Sequence, residues 1–263
     1  MPIVKMRELL ESGVHYGHHT SRWNPKMKRY IYKDRHSIHV VDLRETVRGL
    51  VRATRFLASM AEQGAQFILV GTKKQARQTV VDEASRGELH YVSERWLGGM
   101  LTNFRVVMSR VKRLHELEDM DASGEIEVKG KKYASVLRRE MAKLQKNLNG
   151  VREMKRTPDV MIIIDPRRER NALREAINLD IPTICFLDTD SDPDGIDIVI
   201  PGNDDAMRSV QLICSKLIDA IIEGRARMPV APEVEAEPAP APAVEPVPEP
   251  EIKPDAPAAE PGA

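Results

Sequence analysis

A basic and aromatic segment near the amino terminus carries the strongest chemical signal in the sequence. Residues 22–35 contain six lysines and arginines against one acid, with three aromatic residues between them. Cations bind phosphate and flat rings stack on unpaired bases, so this mixture is typical of RNA binding. The alternative is a solvated basic loop whose aromatic residues anchor it to the core. The candidate RNA-binding residues here are Arg22, Trp23, Asn24, Lys26, Lys28, Arg29 and Tyr30.

Two other loops are candidate anion sites. Residues 71–74 read Gly-Thr-Lys-Lys after an apolar run, so the threonine could cap the next helix and free N–H groups there could bind phosphate. Residues 95–104 contain a glycine pair, which permits close backbone approach to RNA. Ordinary surface charge and a tight turn into a long helix are the respective alternatives. The candidate residues in these loops are Lys73, Lys74, Arg95 and Asn103.

Early histidines and a distant acidic run suggest a divalent metal site. Residues 188–205 hold seven aspartates and no lysine or arginine, and five of the seven histidines lie within residues 15–39. Zinc accepts imidazole and carboxylate ligands, and magnesium accepts carboxylates. A partial calcium-loop match from Asp190 fails, because its last position is Pro201. We expect that the protein requires no cofactor. The alternatives to a metal site are that the acidic run binds a basic partner or only caps helices. The predicted zinc or magnesium ligands are His18, Asp188 and Asp205.

The sequence lacks the patterns of an activated nucleophile or a nucleotide-binding loop. It contains no G-x-x-x-x-G-K-[ST], G-x-G-x-x-G or G-x-S-x-G sequence. Cys185 and Cys214 each lie within an apolar pattern, which favours reduced core residues. No apolar run approaches the roughly 18–20 residues of a membrane span. We therefore expect a cytoplasmic protein that is not an enzyme, with no small-molecule substrate and no membrane partner.

Charge is unevenly distributed along the chain. The 263 residues include 40 lysines and arginines and 40 aspartates and glutamates. Residues 229–263 hold eight acids, one base and 11 of the 18 prolines, which leaves 39 bases against 32 acids in residues 1–228. This acidic Pro/Ala/Glu-rich tail buries too little apolar surface to offset backbone entropy, so we predict that it is disordered. The basic body favours a nucleic-acid partner.

Short apolar runs alternate with amphipathic stretches through most of the body. Such alternation predicts an α/β domain in which a parallel sheet lies between helices. Asp165 and Pro166 predict the cap and the first turn of a helix that ends near Asn178. The predicted strands are Ile38–Val41, Phe67–Val70, His90–Val92, Val160–Ile164, Thr183–Leu187 and residues 196–200.

Residues 102–156 break this alternation. Apolar residues recur every three or four positions through residues 107–117 and 137–151. These rows predict two facing helices of a coiled-coil hairpin, joined at a Ser-Gly turn. The predicted domains are an α/β body of residues 1–101 and 157–228, the inserted hairpin of residues 102–156, and the tail of residues 229–263.

Four long stretches carry a family resemblance. They are LLESGVHYGHHTSRWNPKMKRYIY (residues 9–32), RWLGGMLTNF (95–104), PDVMIIIDPRRERNALREAINLDIP (158–182) and DTDSDPDGIDIVIPGNDD (188–205). In these stretches the chain resembles ribosomal protein S-two, the second-protein family of the bacterial small ribosomal subunit. The resemblance extends over residues 1–225, and the tail lies outside it.

The resemblance implies a flavodoxin-like three-layer α/β domain with an inserted coiled-coil hairpin, in a ribosome-bound protein. It implies binding to 16S rRNA at the head–body junction, and a docking surface for ribosomal protein S-one beside neighbouring small-subunit proteins. The rival functions are an enzyme or nucleotide-binding regulator with the same fold, and a coiled-coil interaction module without RNA. The resemblance points to the three segments above as RNA contacts and adds the hairpin bases Arg105, Arg110, Lys131 and Lys132.

Overall fold

Eight strands and eight α-helices make up the part of the chain that this computed structural model describes, residues 4–128 and 130–228. The strands are β1 (Tyr16–His19), β2 (Ile31–Arg35), β3 (Ile38–Val41), β4 (Phe67–Val70), β5 (His90–Val92), β6 (Val160–Ile164), β7 (Thr183–Leu187) and β8 (Ile198–Pro201). The helices are α1 (Met6–Glu11), α2 (Leu43–Glu62), α3 (Arg77–Arg86), α4 (Phe104–Ala122), α5 (Glu125–Val128), α6 (Lys131–Leu148), α7 (Arg170–Asn178) and α8 (Met207–Ala226). No helix within those two ranges is long and apolar enough to cross a membrane. The tail predicted to be disordered, residues 229–263, lies outside the described residues.

A parallel sheet of five strands lies at the centre of the fold. Its strand order is β5-β4-β6-β7-β8, and every neighbouring pair is parallel. Counted from its own first strand, this order is 2-1-3-4-5, which is the order of flavodoxin-like folds. The prediction of a flavodoxin-like α/β fold is therefore confirmed.

Alternate side chains of the sheet enter two different apolar clusters. Along β6, Val160 and Ile162 share a cluster with α2, α3 and α8, whereas Met161 and Ile163 share one with α7 and the start of α4. Both sides of the sheet are thus covered by helices, which explains why β6 and β7 are apolar at almost every position. We call the two sides the α8 face and the α7 face.

The predicted strand Ile38–Val41 is present as β3, but its place in the parallel sheet was predicted wrongly. It lies between β1 and β2 in a separate antiparallel sheet of three strands. His36 and Ser37 join β2 to β3 with φ angles of 50° and 61°, as a tight two-residue hairpin turn requires. The two partner strands are short and mostly polar, so hydrophobic periodicity does not detect them.

Two predicted helix starts also need correction. Asp165 has a φ of 60° and does not cap a helix, because α7 begins only at Arg170 after Glu169. Thr72 does not cap α3, which begins at Arg77. Its hydroxyl donates instead to the buried carboxylate of Glu169. The end of α7 at Asn178 agrees with the prediction.

Two long helices and a short one occupy the predicted hairpin region. The start of α4 shares an apolar cluster with the end of α6, and the end of α4 shares another with the start of α6, so the two helices run antiparallel. Ser123 follows the last residue of α4, where the turn was predicted. The coiled-coil supertwist and the division into body and hairpin domains stay predictions. The cluster at the far end consists of Leu117, Ile126, Ala134 and Leu137.

The second long helix returns to the sheet through a close backbone contact. Helix α6 ends at Leu148, and residues 149–151 form a 3-10 turn. A Cβ atom at Gly150 would lie 2.2 Å from the carbonyl oxygen of Tyr91 in β5. Only glycine allows the two backbones to approach this closely.

Candidate nucleic-acid interface

Apolar residues anchor the amino-terminal basic segment to the body. Residues 25–30 form a 3-10 turn after Asn24, whose side chain accepts a hydrogen bond from the backbone N–H of Lys26 at 3.0 Å. Met27 and Tyr30 from this turn are buried in the apolar cluster of the α7 face. The turn therefore fixes the positions of the basic side chains between them.

The aromatic rings of this segment contact the protein itself. Tyr30 is only 6% exposed, and the guanidinium of Arg29 lies 4.6 Å from its ring centroid. Little of the Tyr30 ring is therefore available for stacking on a base, and its contact with RNA stays a prediction. Trp23 packs against His39 with ring centroids 5.1 Å apart. Tyr30 therefore anchors the segment to the core, which was the alternative role for its aromatic residues.

The basic side chains of the segment differ in how free they are. The ammonium of Lys26 lies 2.9 Å from Asp192 and 2.5 Å from Asp194. A phosphate would have to displace these two carboxylates to bind Lys26. Three other cations are exposed and form no salt bridge within the described residues, namely Arg22, Lys28 and Arg29.

His18 connects the antiparallel sheet to the acidic run of residues 188–205. Its Nδ1 lies 2.8 Å from Asp188, and its Nε2 lies 3.2 Å from Asp205. The hydrogen bond to Asp188 raises the pKa of His18 to about 9, so the ring is charged at neutral pH. The backbone N–H of His18 also donates to the hydroxyl of Thr189 at 3.0 Å.

His18 directly contacts Asp188 and Asp205, the two acids that were predicted to bind a divalent metal together with it. Both ring nitrogens face carboxylates at hydrogen-bond distance, and a protonated imidazole has no lone pair for a metal. Throughout residues 4–128 and 130–228, no group of three or more His, Cys, Asp or Glu side chains could hold a metal ion. The geometry is that of an ion-pair cluster, not of a metal centre.

Lys73 belongs to the same ion-pair cluster. Its ammonium lies 2.6 Å from Asp204 and 2.7 Å from Asp205. Burial disfavours the ammonium, but these carboxylates outweigh it and raise the pKa of Lys73 above its usual range. Burial raises the pKa of Asp204, and the ammonium of Lys73 beside it opposes that rise. The predicted phosphate contact of Lys73 would therefore compete with two aspartates, whereas its neighbour Lys74 is exposed.

Glu175 of α7 holds the loop that leads into the hairpin. Burial alone would raise the pKa of this carboxyl, but the donors around it lower the pKa, so it stays charged. Sequence reasoning missed this residue, because it lies more than 70 positions from the loop. An acid on the buried side of an amphipathic helix was the only available signal. Its donors are the backbone N–H groups of Gly99, Leu101 and Thr102 at 2.8, 3.0 and 3.2 Å, and the indole N–H of Trp96 at 3.0 Å.

Arg95 is exposed at the start of this loop. Glu94 beside it pairs with Arg77 of α3 at 3.0 Å and with Lys146 of α6 at 3.4 Å. Arg95 itself forms no salt bridge within the described residues. Glu94 therefore ties the hairpin to the body, and its charge does not oppose a phosphate at Arg95.

The predicted RNA-binding residues of the hairpin lie at the surface. Asn103 precedes α4, but its side chain makes no capping hydrogen bond and is exposed. The four predicted bases are also exposed, and none of them forms a salt bridge in the part of the chain that the structure describes. These bases are Arg105, Arg110, Lys131 and Lys132.

Comparison with known proteins decides the family. The chain matches the family model described as Ribosomal protein S2 over residues 9–224. It belongs to the ribosomal protein S2 family. Small ribosomal subunit protein uS2 of Microcystis aeruginosa is 52% identical over 225 residues, which cover 86% of this chain and 85% of the relative. The uS2 proteins of a Synechocystis and a Nostoc species are 52% identical over 229 residues and 50% over 236, covering 87% and 89% of this chain and 85% and 89% of the relatives.

Membership of the S2 family confirms several predictions from the sequence. The chain is a structural component of the small ribosomal subunit and not an enzyme. Its predicted association with cytoplasmic ribosomes follows from the same relatives.

Proposed function

We propose that this S2-family chain binds 16S rRNA through exposed, unpaired cations on the α7 face. The amino-terminal turn and the loop before the hairpin are both anchored in one apolar cluster, through Met27 and Tyr30 in the turn and Trp96 and Leu101 in the loop. This shared anchor is the observation that supports one continuous interface. The cations that it carries are Arg22, Lys28, Arg29 and Arg95.

The acids near these cations are already engaged within the protein. Glu94 pairs with two bases, and Glu175 accepts four N–H donors. Repulsion of phosphate by these carboxylates is therefore weak.

Binding would follow from charge neutralisation and shape. Each lysine or arginine that meets a phosphate releases counterions, which favours association at low salt. Contacts to phosphate fix the position of a protein without reading base sequence, so the fold of the rRNA supplies the specificity. From the family resemblance, we place the contact at the head–body junction of the subunit.

Charge reversal at Lys28 and Arg29 tests this proposal. Small subunits that lack the chain are titrated with wild type and with K28E/R29E at several salt concentrations. Loss of two phosphate contacts should weaken binding and reduce the log–log salt slope by about 1.4–1.8. The matched control is R52E/R55E, which reverses two exposed arginines of α2 on the α8 face. Equal affinity and slope for both double variants would refute the interface.

We also propose that the globular body helps to dock ribosomal protein S-one, as the resemblance implies. Small subunits assembled without the chain should retain less S-one after sedimentation, and adding the chain back should restore it. Equal retention in both preparations contradicts docking and leaves RNA binding untouched.

A further inference from the structure

Helix α7 and the turn before it read as a segment of mixed charge. Residues 167–175 contain four arginines and two glutamates. In the fold these charges separate, because both glutamates are buried and all four arginines are exposed. The outer side of this segment is therefore purely basic, which its sequence alone does not indicate.

The two buried glutamates hold neighbouring loops in place. Glu169 accepts a hydrogen bond from the backbone N–H of Thr72 at 3.0 Å, next to Lys73 and Lys74. Glu175 accepts the N–H donors of the loop that follows Arg95. Both carboxylates are therefore held by donors inside the protein.

The four arginines are not equally free. Arg167 pairs with Asp190, and Arg168 donates to the hydroxyl of Thr72 at 3.2 Å. Arg170 and Arg174 form no hydrogen bond or salt bridge with the described residues, although Arg170 lies within electrostatic range of Asp192. These two residues are four positions apart, so they lie on the same side of α7, about 6 Å apart along its axis.

We propose that Arg170 and Arg174 bind the phosphate backbone of rRNA and connect the amino-terminal turn to the loop before the hairpin. The proposal rests on the RNA binding proposed above and adds a contact element to it. A guanidinium forms paired hydrogen bonds with phosphate oxygens, which suits arginine for this role. Helix α7 adjoins both segments, because Glu175 accepts the N–H donors of the loop, and Arg170 lies within electrostatic range of Asp192, which pairs with Lys26 of the turn.

Charge reversal of the pair is the first test. R170E/R174E is compared with R52E/R55E for binding to small subunits that lack the chain. An acid in the first turn of a helix interacts favourably with the helix dipole, so R170E is not expected to unfold α7. We expect the log–log salt slope to fall by about 1.4–1.8 for R170E/R174E and to stay at the wild-type value for the control. Thermal unfolding of both variants checks that the fold is intact.

A tethered probe distinguishes RNA from an acidic protein partner. Cys185 and Cys214 are fully buried, and burial raises the pKa of both thiols, so an iron chelate would attach selectively at an introduced R174C. Hydroxyl radicals from R174C should cut 16S rRNA in assembled subunits, whereas R52C on the opposite face should not. Absence of cleavage from R174C overturns the proposal, even if R170E/R174E weakens binding.

The outcomes also separate this proposal from the one on which it rests. If K28E/R29E weakens binding but R170E/R174E behaves like R52E/R55E, only the role of α7 is refuted. If the wild-type chain fails to bind small subunits that lack it, both proposals are refuted.

Discussion

Glu175 is the acceptor for four buried or partly buried N–H donors, and alanine at this position would leave all four unpaired. We expect E175A to lower the free energy of unfolding by about 2–4 kcal/mol, because a single unpaired buried donor costs about 1–3 kcal/mol. Urea unfolding measures the change. The control is E223A on α8, where an exposed glutamate is removed and a change below about 0.5 kcal/mol is expected. An E175A variant as stable as this control contradicts the role given to Glu175.

His18 should make stability depend on pH. Its pKa is raised from 6.5 to about 9, chiefly by the hydrogen bond to Asp188. The folded state therefore holds this proton more tightly than the unfolded state does, and the resulting stability is complete below pH 6.5 and lost as pH rises through about 9. We expect the stability difference between wild type and H18Q to shrink by about 3 kcal/mol across this window, because a pKa difference of one unit corresponds to about 1.4 kcal/mol. A difference that is constant with pH, measured by urea unfolding, contradicts the ion pair.

The sequence does not show which single cations are free and which are paired. Lys73 and Asp204 are 131 positions apart, and Lys26 and Asp192 are 166 apart. Local spacing cannot show such pairs, so Lys26 and Lys28 look equally available in the sequence although only Lys28 is free. The approach of His18 to the acidic run was predicted, but as a metal site instead of an ion pair.

Gly150 is the residue that lets the hairpin meet the sheet, and it provides a test at the scale of elements. A methyl group there would lie 2.2 Å from the carbonyl oxygen of Tyr91, so the backbones must separate. We expect G150A to cost about 1–3 kcal/mol of unfolding free energy, the usual range for overpacking. G98A is the matched control, because a Cβ at Gly98 meets no atom within 4 Å. Equal stability of the two variants would show that the close contact is unimportant.

Most elements of the parallel sheet could be predicted, because their residues are apolar for a simple reason. Strands covered on both faces read as continuous apolar runs, which is why Phe67–Val70, Val160–Ile164 and Thr183–Leu187 were located correctly. The antiparallel sheet could not be predicted as a whole, since β2 is almost entirely exposed. The start of α3 was predicted wrongly because Thr72, the expected capping residue, donates its hydrogen bonds to the buried carboxylate of Glu169 instead.

The acidic tail provides a prediction for the whole molecule. Residues 229–263 carry eight acids, one base and 11 prolines, a composition that contributes little apolar surface to a core. Deleting these residues should leave the thermal unfolding transition of the body unchanged within about 2 °C. A large drop in the transition temperature on differential scanning calorimetry would contradict the predicted disorder.

At the scale of the whole molecule, the sheet separates two sides with different surroundings. Helices α2, α3 and α8 cover one face, while α7, the amino-terminal turn and the base of the hairpin cover the other. Every segment proposed to bind RNA from the body is anchored in the second cluster or beside it. The sequence could indicate that the body is basic, but it could not show which cations of the α7 face are left without a carboxylate partner.

A density map of small subunits that carry this chain is the decisive measurement for RNA binding. We expect the guanidinium groups of Arg29, Arg95 and Arg174 to lie within about 3 Å of rRNA phosphate oxygens, the distance of a charge-assisted hydrogen bond. Finding these groups in open solvent, with the α7 face turned away from the rRNA, would contradict the proposed function.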